Sequence, residues 1–438
     1  MKLISHADKN FEKELNQFLS GIHEVPPDVM EKAAKIFDEV TAQGDTALFK
    51  WTRELENHEI DANTVKVTDA EISRALGEVS RSDLDVIELA AKRIRAFHKK
   101  QSPKGFTYND NKGTVIKERI IPLQRAGVYI PGGRFPLAST VLMTAIPAQI
   151  AGVKEIIMIT PCPGGKLNPC VLAAARSAGV DAVYKVGGVQ GIAALACGTA
   201  SIPRADKIVG PGSSWVAAAK TIADSRGLCG TDAVAGPSEI VVVADESAPA
   251  EAVAADLLSQ AEHGPDSVSI LVTTSDDLVK KVERELKKLV EELPEIEDNP
   301  DPAASVSAIL VKDLEQASAI VNRIAPEHLE IIVKKPQKFA DTVNNAGSVF
   351  LGPYSPVPAG DYTAGANHVL PTGGTARFSS PLGVQDFVKR QSVTRLSKEG
   401  LAGIREATAR FADLEGLKAH ARAVLSRLPE RDKKEKKK

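Results

Sequence analysis

The sequence predicts an α/β protein built on mostly parallel sheet, and three observations carry that prediction. From residue 120 onward, short apolar runs of strand length alternate with Ala-rich stretches of helical length. The alternation runs twice, over 126–209 and again over 239–351. The composition, 43% hydrophobic and 26% charged over 438 residues, is that of an ordinary soluble globular chain with room for two or three domains.

Before residue 100 the pattern is helical, with one helix predicted over 26–42 and two over 69–100, restarting near Ser82 and Asp83. Ile72, Leu76 and Val79, then Leu84, Ile87, Ala91 and Ile94, recur at three- and four-residue spacing, which puts them on one helical face. Thr68 with Glu71 three residues on has the pattern of a capping box. The first series then predicts strands over 126–130, 155–159, 182–186 and 207–209, separated by helices over 141–152, 172–178 and 191–197. The second predicts strands over 239–244, 269–273, 307–311, 329–333 and 348–351, with helices over 249–263, 278–293 and 314–324. The Pro- and acid-rich stretch 293–304 reads as a surface loop. Two closing helices, over 404–411 and 414–426, are too small to fold alone and must dock on something, a second subunit being one option.

Several function classes are excluded. A formal net charge of -2 gives no electrostatic reason to expect nucleic acid. The Lys-rich stretch 431–438 interleaves Asp432 and Glu435 and has no aromatics, so it reads as a solvated end. No run approaches the apolar length that spans a bilayer, and the first eight residues are too polar for a signal peptide. Cys162, Cys170, Cys197 and Cys229 are scattered with no Cys-x-x-Cys pair, which predicts reduced thiols, a cytoplasmic setting and no cysteine-based zinc site.

The histidines carry the chemistry. His6, His23, His58 and His98 are scattered through the first hundred residues, and no other follows until His263. Each of the last four then falls in a polar constellation: Gln260 with His263, Glu327 with His328, Asp361 with Asn367 and His368, and Glu415 with His420. Such clusters suggest one polar site assembled from distant segments, able to hold a metal and move protons. Asp256, Gln260 and His263 form one stripe on a helix that Gly264 and Pro265 must stop, although such a stripe is equally well a solvated face. Pro326 biases Ala325 towards an extended backbone, and neighbours in a regular strand point to opposite faces. Glu327 and His328 therefore share a substrate only at an irregular strand entrance, where two bases can divide the work; the plainer alternative is a structural His beside an exposed Glu. Asp361 and His368 belong to a Gly-rich stretch too apolar for a plain surface loop, where Asp361 can be a hard anionic ligand and His368 a supporting or substrate contact. An ordinary turn at Gly360–Asp361 fits as well. Glu415 and His420, five apart in a predicted helix, point in separated directions. Gly187–Gly191 and Gly210–Trp215 each follow a strand and precede a helix, so both can offer backbone N–H groups to a phosphate, but a tight turn explains each as well.

Taken together, these segments resemble the histidinol dehydrogenase family from about residue 36 to about residue 427, most strongly over 129–152, 236–239, 257–266, 325–330, 345–354, 360–386 and 415–424. The resemblance implies two incomplete Rossmann-like domains with an N-terminal arm over 1–25. The first domain, over 26–128 and 239–381, would carry zinc and the catalytic residues. The second, over 129–238, would be inserted in it and bind NAD. A helical tail over 382–438 would cross to the partner of a homodimer. It implies oxidation of L-histidinol through L-histidinal to L-histidine with two NAD and one zinc per subunit. Gln260, His263, Asp361 and His420 would be the zinc ligands and substrate contacts, with His420 reaching in from the partner. His328 would be the base for both oxidations and touch substrate, and Glu327 would activate the water that hydrates the aldehyde. Ser238 and Glu415 would contact substrate, and Tyr129, Gln190 and Ser213 the NAD. Ser213 departs from the usual Gly-Pro-Gly-Asn, since a hydroxyl does not offer an amide's donor–acceptor geometry. The alternative is a paralogue of the same fold acting on another alcohol, such as a sulfopropanediol 3-dehydrogenase, with Arg134 meeting the sulfonate.

Overall fold

The computed structural model describes residues 1–20, 27–132, 136–232, 236, 238–264, 266–293, 302–303 and 305–428. His23, Arg134, Pro265, most of the 293–304 loop and the Lys-rich end lie outside the described residues. In chain order the first elements are β1 (Lys2–Ser5), α1 (Phe11–Ser20), α2 (Pro27–Gln43), α3 (Asp45–Glu56), α4 (Asp69–Glu78), α5 (Arg81–His98), β2 (Thr107–Asn109), β3 (Thr114–Pro122) and β4 (Arg125–Tyr129). Next are α6 (Ala138–Ala151), β5 (Glu155–Ile159), α7 (Pro169–Ala178), β6 (Ala182–Tyr184), α8 (Gly188–Cys197), β7 (Lys207–Val209), α9 (Ser214–Ser225) and β8 (Gly230–Thr231). The second series follows as β9 (Glu239–Ala244), α10 (Ala250–Ala261), β10 (Val268–Thr273), α11 (Asp276–Glu292), β11 (Val306–Leu310), α12 (Leu314–Ile324) and β12 (His328–Ile332). It closes with α13 (Pro336–Ala340), β13 (Ser348–Leu351), α14 (Val357–Ala359), β14 (Val388–Leu396), α15 (Lys398–Leu414) and α16 (Lys418–Leu425).

The chain forms two compact units, one of Met1–Ser102 with Pro122–Phe387, the other of Pro103–Ile121 with Val388–Lys438. The larger unit holds two sheets, ordered β6-β5-β4-β7-β8 and β1-β11-β10-β9-β12-β13. The pairings within both are parallel. Parallel strands need crossover helices, so each sheet is covered on both faces and its central strands are mostly apolar. In β9 the faces separate cleanly: Ile240, Val242 and Ala244 pack with Val253, Leu257 and Leu258 of α10, while Val241 and Val243 pack with Ile320 and Val321 of α12.

Two placements differ from the sequence reading. Residues 2–5, expected in an N-terminal arm, form edge strand β1 paired with β11, because Ile4 is an apolar residue that the sheet buries completely. Helices α2 to α5, expected with the second series, cover the five-stranded sheet instead. Ile36, Phe37 and Val40 share a core with Ala193, Ala196 and Ile208, and Ile94 packs with Met143 and Met158. Periodicity marks which face of a helix is apolar but not which sheet it meets. The capping box holds: the Thr68 side chain accepts the Glu71 N–H, and the Glu71 carboxylate accepts the Thr68 N–H at 2.8 Å. The smaller unit has a sheet ordered β14-β3-β2 and the hairpin of α15 and α16. Its strand β14, nine residues long, was not anticipated, because Val388–Leu396 is almost wholly exposed and lacks the apolar run that marks the buried strands.

Candidate active site

The centre of the site is the mouth of β12. Ala325 closes α12 in the left-handed conformation, φ 54 and ψ 58, with its N–H donating to Val321 O at 2.8 Å. The extended backbone expected before Pro326 is therefore not adopted, because the helix cap demands a left-handed residue and outweighs the proline's bias. Regular pairing starts at His328, which leaves Glu327 on the irregular entrance. Both side chains are buried, and Glu327 Oε2 lies 3.6 Å from His328 Nδ1. The main chain of Glu239 holds the two together. Its N–H donates to Glu327 Oε2 at 2.9 Å, and its carbonyl accepts from His328 Nδ1 at 3.1 Å. That second bond places the Nδ1 proton and turns Nε2 towards Asp361, whose Oδ1 is 3.5 Å away.

The charges around this pair shift their proton affinities. Burial by itself would lower the His328 pKa, but the Glu327 and Asp361 carboxylates and the Glu239 carbonyl support the imidazolium and lift it to about 9. Burial raises Glu327 to about 7, against the nearby imidazolium. The Glu239 side chain, buried beside Glu327 and accepting the Gly373 N–H at 2.9 Å, is raised to about 8 by burial and then by the Glu327 charge.

Gln260 lies in the last turn of α10 and is buried, so the stripe it shares with Asp256 is no solvated face. His263 lies just past the helix, which ends at Ala261 and not at His263 as expected. Its N–H donates to Gln260 O at 3.2 Å, and Gly264 takes φ +136 to turn the chain. Asp361 sits in a wide π-type turn, Gly360–Ala364, a geometry common at functional sites, and not in a plain Asx turn. A side chain at Gly360 would overlap the Phe350 ring, which itself lies 6.3 Å from the His328 ring, so glycine brings the turn close. His368 donates through Nδ1 to Asp361 O at 2.8 Å and meets Thr140 Oγ1 through Nε2 at 3.3 Å. Among the described residues no three His, Cys, Asp or Glu side chains form a metal cluster. The expected ligand set brings only His263 and Asp361 of those types to this unit; Gln260 adds an amide, and His420 belongs to the smaller unit. Imidazole and carboxylate are ligands that zinc accepts, whereas the Gln260 amide, buried at the helix end, is an unusual one.

The same stripe carries a second feature. Asp256, one turn before Gln260, is hydrogen-bonded to Glu330, which lies two residues along β12 from His328 and on the same face. Both are buried, and no N–H or hydroxyl donor among the described residues reaches Glu330 Oε2. Two facing carboxyls need a proton between them, and burial, followed for Glu330 by the Asp256 charge, pushes both pKa values up.

On the cofactor side, the two glycine turns have their first amides already in use. Gly187 N–H donates to Glu56 Oε1 at 2.8 Å, and Gly210 N–H to Asp232 Oδ2 at 2.7 Å. Gln190 is fully buried and donates to Glu56 at 2.9 Å, while the buried Tyr129 hydroxyl accepts the Gly188 N–H. Neither side chain offers much open surface. Ser213 is exposed at the head of α9, where its hydroxyl makes no capping bond. A cavity of about 100 Å³ is lined by Gly210, Gly212, Ser238, Glu327 and His368, so the second turn and Glu327 share one space. Glu415 and His420 were expected on one helix. Instead Gly416, at φ +76, breaks the chain between α15 and α16, and both residues line a groove of about 830 Å³ in the smaller unit.

Sequence reasoning missed Glu56, Glu239, Glu330 and the pair Lys220–Asp232. A charged residue inside a run of buried strand residues was the available signal for Glu239 and Glu330. Nothing local marked the other three.

The family model described as Histidinol dehydrogenase matches residues 23–428. Among curated relatives, the chain is 44% identical to a histidinol dehydrogenase of Syntrophotalea carbinolica over 98% of this chain and 99% of that one. It is 45% identical to one of Bacillus cereus over 92% and 93%. Among solved structures, histidinol dehydrogenase from Elizabethkingia anophelis superposes with a TM-score of 0.90 at 36% identity, covering 98% of each chain.

Proposed function

Because this chain belongs to the histidinol dehydrogenase family of NAD-dependent oxidoreductases, we propose that it oxidises L-histidinol through L-histidinal to L-histidine, reducing two NAD. One observation supports this above the others: a buried carboxylate and imidazole, Glu327 and His328, stand 3.6 Å apart beside the cavity that also reaches the Gly210–Gly212 turn. Oxidising an alcohol needs a proton acceptor next to a hydride acceptor, and that arrangement provides both positions.

His328 Nε2 takes the hydroxyl proton as hydride leaves the carbinol carbon for the nicotinamide. Water adds to the resulting aldehyde: Glu327 takes one proton of that water, and the His328 imidazolium returns its proton to the carbonyl oxygen, which leaves the hydrate and a neutral ring. His328 then accepts a hydroxyl proton of the hydrate as the second hydride departs. Zinc is proposed at Gln260, His263, Asp361 and His420 of the partner subunit, where it would anchor the substrate's amine and imidazole between the two oxidations. A divalent cation held by Asp361 would withdraw that carboxylate's support from the His328 imidazolium and leave Glu327 as the main charge favouring it. Ser238 and Glu415 are assigned to substrate. Ser213 is assigned to NAD at the open helix end, with Tyr129 and Gln190 as the floor beneath it.

A homodimer with shared sites is part of the reading. In the smaller unit Phe411 is 65% and Leu414 67% exposed near the groove that holds Glu415 and His420, which is costly apolar surface for an isolated chain. The test is purified protein with NAD and L-histidinol, scored by NADH and by histidine formed. Two NADH per histidine are expected. Absence of histidinol turnover, with dihydroxypropanesulfonate oxidised instead, overturns the assignment.

A further inference from the structure

One buried ion pair has no role in the chemistry above. Lys220, in the middle of α9, is 1% exposed and is paired with Asp232, which follows β8. The Lys220 ammonium also donates to Gly210 O at 3.0 Å, and the other Asp232 oxygen accepts the Gly210 N–H at 2.7 Å. The two ends of one ion pair thus hold both polar groups of a single residue. Gly210 is a position that needs holding. Its φ is +123, and a side chain there would overlap the Tyr129 carbonyl at the end of β4. Strands β4 and β7 are neighbours whose onward connections run to opposite sides of the sheet, which is where parallel sheets open a crevice for ligands.

A pair buried this deeply is a poor device for stability, since desolvation offsets most of its attraction. What it fixes is shape and charge. Lys220 and Asp232 line the cavity that contains Glu327, Ser238 and His368. Asp232 also starts the segment that leads to Ser238 and Glu239. Resting on the reading that the Gly210–Ser213 turn receives NAD, we propose that Lys220 and Asp232 are positioning residues for the dinucleotide. The pair sets the turn's backbone, and the ammonium cancels the carboxylate so that a phosphate-bearing ligand can approach.

Charge makes the pair asymmetric. Losing Lys220 leaves an anion under the turn, which opposes an anionic ligand; losing Asp232 leaves a cation, which does not. Losing both loosens the turn but leaves no charge. A purely structural clamp would give the two single variants equal effects on cofactor binding. The experiment compares full-length K220M, K220Q, D232N and K220M/D232N with the parent, by NADH fluorescence titration and by kinetics with NAD varied, after thermal melting confirms folding. Expected for K220M is an increase of about tenfold in the NADH Kd and the NAD KM, with kcat changed by less than about threefold. D232N should be less affected, and the double variant should recover most of the loss. K220Q keeps donors for Gly210 but not the charge, and should weaken NADH in the same direction even if K220M does not fold. Unchanged NADH affinity in a folded Lys220 variant, or a double variant as weak as K220M, overturns the proposal. Parent protein that binds NADH but leaves histidinol unoxidised would contradict the substrate assignment alone, since the NADH comparison still decides the role of the pair.

Discussion

His328 and Glu327 are neighbours in sequence, yet they meet one site because the strand ladder begins between them. Their separate duties give a residue-scale prediction. If Glu327 acts on water in the second oxidation, as proposed, E327Q should depress histidinal oxidation by about 100-fold more than histidinol oxidation. Single-turnover NADH traces started from each substrate measure this, and equal losses in both steps would count against the division. This pair was legible in the sequence because two titratable residues stood together beside a strand. Glu239 was not, since it orients both through its main chain, and any residue type supplies the same N–H and carbonyl. The left-handed Ala325 was hidden for a related reason: the cap of α12 and the proline after it make opposing demands, and local sequence does not say which prevails.

At the scale of elements, α10 packs on β9 and β10, and the Asp256–Glu330 pair ties it to β12 beside them. Both carboxyls have native pKa values above their unfolded ones, with Glu330 raised to about 9. The native chain therefore keeps a proton that the unfolded chain releases above about pH 4, and this pair's contribution to stability is fully present below that pH. It falls as pH rises towards the native value. In E330Q an amide donates permanently to Asp256 and no such proton is needed, so the melting temperature should vary less between about pH 4.5 and pH 9. Melting curves that stay parallel to those of the parent would show that the two side chains share no proton. The polar stripe on α10 was visible from spacing alone. Its burial was not, because Glu330 comes from a strand more than sixty residues later in the chain.

For the whole molecule, the alternation of strands and helices announced parallel sheets, and both sheets of the larger unit are parallel where pairing is described, while β2 and β3 of the smaller unit run antiparallel. The sequence did not reveal that α2 to α5 would cover the five-stranded sheet, because amphipathic helices specify a buried face without naming its partner. The smaller unit was read only as helices, since β2 and β14 are largely exposed and follow no apolar pattern. If that unit supplies His420 and Glu415 to a neighbouring copy, ending the chain after Phe387 should lose zinc and activity together. An active, zinc-loaded truncated monomer would contradict the shared site. Metal content by mass spectrometry with NADH production checks both. The central claim is that His328 is the base while other side chains hold the metal. Its most direct test is H328N in the full-length protein, assayed for NADH formation from histidinol and for bound zinc. NADH formation is expected to fall by about a thousandfold or more, with zinc remaining near one per subunit. Retained turnover, or zinc lost along with activity, would contradict it.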